Sequence, residues 1–100
     1  MGRALVDDEH VTLRASEVAV ATAIGDETVI LDPTSGRYFG LDGVGTKVWG
    51  MLQRPITRAD LVAAVVAEYD VDEATCEGDL RRLLGELDSK GLIVVADAER

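Results

Sequence analysis

Residues 32–49 read DPTSGRYFGLDGVGTKVW, and the fold turns on how this stretch is parsed. Its opening, DPTSG, puts proline second and closes on Gly36, the composition of a proline-initiated tight turn. RYFGL, residues 37–41, follows as a short strand. Asp42 then has the side chain to cap a helix whose apolar positions are Val44, Val48, Met51 and Leu52, with Trp49 alongside. The stretch is therefore the joint between a β half and a helical half. Gly43, Gly45 and Gly50 each weaken that helix by up to ~1 kcal/mol relative to Ala. Such a helix needs tertiary contacts to hold, and its glycines suit a start packed closely against the sheet.

Working outward toward the N-terminus, TVILD at residues 28–32 is an extended run. Val29 and Leu31 share one face, and Thr28, Ile30 and Asp32 the other. Gly25-Asp26-Glu27 supplies a hairpin turn before it. Residues 18–24 alternate with Val18, Val20, Thr22 and Ile24 on one face. Three strands and two tight turns thus make an antiparallel meander. Val11–Arg14 is a further short strand, and residues 1–10 have no periodicity and read as an arm.

Toward the C-terminus the period changes to that of helices. Thr57 with Asp60 three residues on resembles a capping box, followed by the apolar face Leu61, Val62, Val65, Val66 and Tyr69. Asp72 caps a longer helix running to about Lys90. Its stripe is Cys76, Leu80, Leu83, Leu84 and Leu87, and Gly91 stops it. LIVV is a short extended return, and residues 96–100 form a tail. The expected class is α+β: a three-stranded antiparallel sheet followed by three helices, in a winged helix-turn-helix-like arrangement over residues 11–95.

A chain of 100 residues is one domain with room for a compact core. Nineteen acidic residues against ten basic give a net charge of −9, which repels the phosphates that nucleic-acid binders must neutralise. A basic partner, in contrast, is attracted. A single cysteine excludes an internal disulfide and fits a reducing cytoplasm. No apolar run approaches the length of a membrane span.

Catalytic chemistry finds little support. His10 and Cys76 are the only residues of their kinds; one histidine and one cysteine far apart make neither a metal site nor a nucleophile with its base. Cys76 reads as a small buried hydrophobe on its stripe. GVGTKVWG lacks the spacing of either phosphate-binding glycine motif. The acids are scattered along solvent-facing positions, with Asp79 and Glu86 two turns apart on one side of the last helix. No enzyme activity, metal or cofactor is expected. The anomaly is the sheet, which is apolar on both faces: Val29 and Leu31 against Ile30, Tyr38 against Phe39. A second apolar face calls for a second cover, and an exposed strand edge is a ready site for an added extended segment.

These features together resemble a known family. The strand-turn-strand LDPTSGRYFGLD, the VWGML helix, the AEYDVD junction and the closing run to KGLIV are similar, in order and spacing, to the PqqD-like family. These are the recognition elements that bind leader segments of ribosomally made, modified peptides. The resemblance covers residues 18–95 and is greatest to the stand-alone leader-binding proteins of lasso-peptide pathways. It implies a non-catalytic adaptor that takes a precursor leader as an added strand and delivers it to a separate leader peptidase, with a cyclase completing maturation.

Carried onto this chain, the resemblance implies a groove between strand 37–41 and the last helix. Its floor is Tyr38 and Phe39, backed by Val29, Ile30 and Leu31; its wall is Cys76, Leu80, Leu83 and Leu87, with Asp79 and Glu86 at the rim. Leaders of lasso precursors offer an aromatic residue and a proline near lysines, which suit an apolar wall and an acidic rim. Two alternatives stand beside this reading: a winged-helix DNA-binding regulator using Arg81 and Arg82, and a PqqD-type chaperone in pyrroloquinoline quinone synthesis. The protein itself is expected to be a monomer or a weak homodimer.

Overall fold

The computed structural model describes residues 10–96. The N-terminal arm and the C-terminal tail, apart from His10 and Ala96, lie outside them. In chain order the elements are β1 (Thr12–Ala15), β2 (Val20–Ile24), β3 (Glu27–Asp32), β4 (Arg37–Leu41), α1 (Gly43–Met51), β5 (Ile56–Thr57), α2 (Arg58–Glu68), α3 (Glu73–Ser89) and β6 (Ile93–Val95).

The meander is present as an antiparallel sheet in the order β2-β3-β4. Its second turn is built by Asp32. The Asp32 carbonyl accepts from the Gly36 N–H at 2.7 Å. The Asp32 carboxylate accepts from the Thr34 N–H at 3.0 Å and the Ser35 hydroxyl at 3.1 Å. Gly36 sits at φ +74°, a conformation side chains with a Cβ rarely adopt, and this closes the turn. Register then pairs Ile30 with Phe39 and Leu31 with Tyr38.

A second sheet, in the order β5-β1-β6, joins the two ends of the described chain. The Val11–Arg14 strand and the LIVV return, which had no partner in the sequence reading, are its members. Leu13 pairs with Ile56 on one side and with Val95 on the other, and its side chain is fully buried. This pairing is non-local, so no local pattern shows it.

The helices begin where their caps predict. Asp42 accepts from the Gly45 N–H at 3.2 Å, Thr57 from the Asp60 N–H at 3.1 Å, and Asp72 from the Thr75 N–H at 3.0 Å. Each bond satisfies a first-turn donor that has no intrahelical partner. At the far end of α3, Gly91 takes φ +73°. The Leu92 N–H then reaches the Leu87 carbonyl at 2.9 Å and the Gly91 N–H the Asp88 carbonyl at 3.0 Å. That is the full Schellman pattern, and it turns the chain directly into β6.

The core lies where α1, α2 and α3 meet the inner face of β3 and the second sheet. Ile30, Val48, Leu52, Leu61, Leu84 and Leu87 have essentially no exposed surface. Gly45 is buried too, and an added Cβ would lie 3.1 Å from both Cβ and Cδ2 of Leu41. An alanine there would press on Leu41, which would have to give by a few tenths of an ångström, so glycine lets α1 start this close to β4 without displacing it. Two ion pairs tie the helices together. Lys47 of α1 meets Glu68 of α2, and that hydrogen bond in particular holds the Lys47 pKa above its ordinary value. The buried Arg58 of α2 reaches Glu77 of α3 at 3.2 Å.

Two substitutions of one kind should diverge. Gly45→Ala gains helix propensity but presses on Leu41, and is expected to lower stability by about 1–2 kcal/mol. Gly78→Ala, where an added Cβ meets nothing within 4 Å, should raise it by up to ~1 kcal/mol. Urea unfolding of both variants checks the pair.

Candidate functional site

Strand β4 is an edge of its sheet, so among the described residues one side of its backbone has no strand beside it. Opposite that edge runs α3, 17 residues long. Between them lies a groove of ≈ 440 Å³, within the range of small ligand sites. Leu80, Leu83 and Cys76 form the α3 wall and Phe39 and Leu41 the β4 side, while Asp79 and Glu86 line it as acids. Six of the residues expected at the site, Phe39, Cys76, Asp79, Leu80, Leu83 and Glu86, are thus brought together along one surface.

The other five are not. Ile30 and Leu87 have no exposed surface, so neither presents atoms to a ligand. Leu87 is about 40° further round α3 than Leu83, enough to turn it from the groove into the core. Val29, Leu31 and Tyr38 lie on the opposite face of the sheet. Adjacent strand residues point to opposite sides, and of the two only Phe39 lines the groove; this corrects the expectation that Tyr38 and Phe39 together form its floor. Phe39 aligns with Ile30 on the helix side and Tyr38 with Leu31 on the outer side. Tyr38 is 70% exposed there, and its β3 partner Leu31 pairs in turn with Val20 of β2. The second apolar face is real, but it is separate from the groove.

Sequence periodicity also missed part of the lining. Val44 was assigned to the core stripe of α1, yet it is exposed and faces the groove. Val71, in the link between α2 and α3, joins it, with Val65 buried at the base. The available signal was Val71 itself, an apolar residue flanked by Asp70 and Asp72 outside any helical stripe.

Electrostatics make the groove acidic and its thiol inert. Burial, and then the charges of Asp79 and Glu73, push the Cys76 thiol above its ordinary pKa. Arg81 and Arg82, the residues on which a DNA-binding reading depends, are each matched by an acid on the same helix. Arg81 meets Glu77 at 3.5 Å and Arg82 meets Asp79 at 3.3 Å. Among the described residues no group of three or more His, Cys, Asp or Glu is placed to hold a metal. No helix among them is long and apolar enough to cross a membrane.

Residues 27–93 match the family of Coenzyme PQQ synthesis protein D (PqqD), a segment running from the first residue of β3 to the start of β6. The chain belongs to the PqqD family. Solved structures agree. One is TbiB1 in complex with the TbiA(beta) leader peptide, 41% identical, with 80% of this chain and 93% of that one covered and a TM-score of 0.74. A lasso peptide synthetase B1 complexed with the leader peptide is 23% identical, covering 82% and 96%, with a TM-score of 0.72. The PqqD truncation of Methylobacterium extorquens PqqCD, a stand-alone recognition element for ribosomally synthesised, modified peptides, is 22% identical, covering 86% and 92%, with a TM-score of 0.71. At those lower identities the last two speak for the PqqD fold alone. No curated protein sequence matches.

The raised Cys76 pKa has a direct consequence. At a given pH below its pKa the thiolate fraction is smaller than in a free thiol, and the thiolate is the reactive form. Alkylation by iodoacetamide at pH 7.5 should run slower than for a free cysteine under the same conditions. The rate should still be climbing above pH 9. Mass spectrometry of the modified chain follows it.

Proposed function

We propose that this protein binds the leader segment of a ribosomally synthesised precursor peptide, without catalysis, by adding it as a strand to β4. The observation that carries this reading is the free β4 edge facing the apolar wall of α3 across the ≈ 440 Å³ groove. Main-chain hydrogen bonds to an edge strand supply sequence-independent affinity, and alternate side chains dropped into flanking pockets supply selection. The likeness to TbiB1, which is held in complex with a leader peptide at 41% identity, supports it.

The ligand's side chains follow from the walls. Leu80, Leu83, Val44 and Val71 favour an aromatic or a proline, and Asp79 and Glu86 favour neighbouring lysines. The pathway is that of a lasso peptide, with delivery to a partner leader peptidase and then a cyclase in the reducing cytoplasm. The net charge of −9 draws a basic leader in over several ångströms before contact. Val29 and Leu31 take no part in leader contact in this scheme.

Fluorescence anisotropy with two synthetic probes, the TbiA(beta) leader and the leader of a precursor encoded beside this chain, tests the reading. Leu83→Asp should weaken binding by tenfold or more, since it puts a charge in an apolar contact. Ile24→Asp, exposed on the other face, should leave affinity within about twofold. Saturating leader should also slow Cys76 alkylation further. Failure of both probes to bind wild-type protein would end the proposal.

A further inference from the structure

Phe39 borders more than the leader groove. A second cavity of ≈ 210 Å³ also touches that ring, lined by Asp32, Ser35, Arg37, Tyr38, Ser89 and Lys90 among others. It lies between the β3–β4 turn and the C-terminal end of α3. Phe39 is common to both cavities, and the Lys90 Nζ stands 5.5 Å from the centroid of its ring.

The charges here run against the rest of the chain. Acids outnumber bases nineteen to ten, so carboxylates are in ample supply. Arg14, Lys47, Arg58, Arg81 and Arg82 each have one at ion-pair distance. Among the described residues Arg37, Arg54 and Lys90 have none, and two of these three, Arg37 and Lys90, line this one cavity. Asp32, the acid beside them, has its two carboxylate oxygens engaged by the Thr34 N–H and the Ser35 hydroxyl. Two cations thus line a common cavity that shares Phe39 with the leader groove.

We infer that this cavity is a subsite for an acidic side chain of the bound leader, with Arg37 and Lys90 as the residues that select it. The inference rests on the leader-binding reading and adds a position and a charge to it. Arg37 offers a planar fork suited to a carboxylate, and Lys90 a second positive charge. Elsewhere the groove presents Asp79 and Glu86 and the chain is strongly negative, so an acid is disfavoured at the other positions; the contrast gives selectivity.

The strand geometry fixes the spacing. Arg37, Phe39 and Leu41 alternate onto the helix-facing side of β4, and an extended peptide alongside has the same period of two. A side chain meeting the Leu41 end of the groove is therefore about four residues from the one that meets Arg37. A leader should carry its basic residues near Asp79 and an Asp or Glu about four positions away, toward Lys90.

A displayed library of random extended peptides, panned on the wild-type protein, reads this directly. The expected result is an apolar consensus with Asp or Glu enriched at one position about four residues away. Panning on Arg37→Glu with Lys90→Glu should switch that position to Lys or Arg and leave the apolar consensus unchanged. Arg37→Gln with Lys90→Gln, the gentler change, should abolish the acid preference without creating a basic one. A selected acidic peptide should bind the glutamine variant roughly three- to tenfold more weakly than wild type. An apolar consensus with no acid preference, or one the variants do not alter, overturns the subsite while leaving leader binding intact. Recovery of no peptide at all overturns both.

Discussion

The approach of Gly45 to Leu41 sets the geometry on which everything else is built. A hydrogen in place of a Cβ lets α1 begin one residue after β4 and lie directly against the strand that precedes it. Asp42 secures the junction from the other side by accepting from the same Gly45 N–H. The inner face of β3 is then covered by α1, so Ile30 and Val48 are sealed together in the core. With that side filled, β4 is left as an edge whose helix-facing residues run from buried Leu41 through half-buried Phe39 to exposed Arg37. The groove is the remainder of a packing arrangement rather than a separate construction.

Its opposite wall is held from a distance. Helix α3 is fixed at its start by Asp72, along its length by the buried Arg58 reaching Glu77, and at its end by the Gly91 turn into β6. None of these restraints lies in the groove. A wall positioned by contacts on its far side can offer Leu80 and Leu83 to a ligand without rearranging when the ligand arrives, which spares the ordering cost that weakens many peptide complexes. The same logic explains the inert thiol: Cys76 contributes apolar surface, and burial beside Asp79 suppresses its reactivity.

Charge divides the surface into regions of different use. The acids Asp79 and Glu86 border the apolar groove, while Arg37 and Lys90 sit beyond Phe39 without acidic partners among the described residues. The outer face of the meander carries Val20, Ile24 and Tyr38 in the open. One small sheet thus presents a groove with a charge order on one side and an apolar surface on the other.

Much of this was legible in the residues. The three caps, the two glycine turns and the stripes of α2 and α3 are local signals, each depending on residues within a few positions of one another. They fixed the α+β class and the order of elements. The family resemblance then rested on that same order and covered the chain from residue 18 to 95. What the sequence could not settle was direction. A strand with apolar residues at successive positions does not reveal which face meets the helices, so Tyr38 and Phe39 were assigned to one surface when they lie on two. A stripe on α3 does not reveal where the core ends and the groove begins, and a rotation of about 40° separates Leu83 from Leu87. The pairing of β1 with β5 and β6, and the placing of Arg37 and Lys90 around one cavity beside Phe39, join residues far apart in the chain. Such contacts depend on how the elements pack, and packing is decided only when the whole chain closes on a single core.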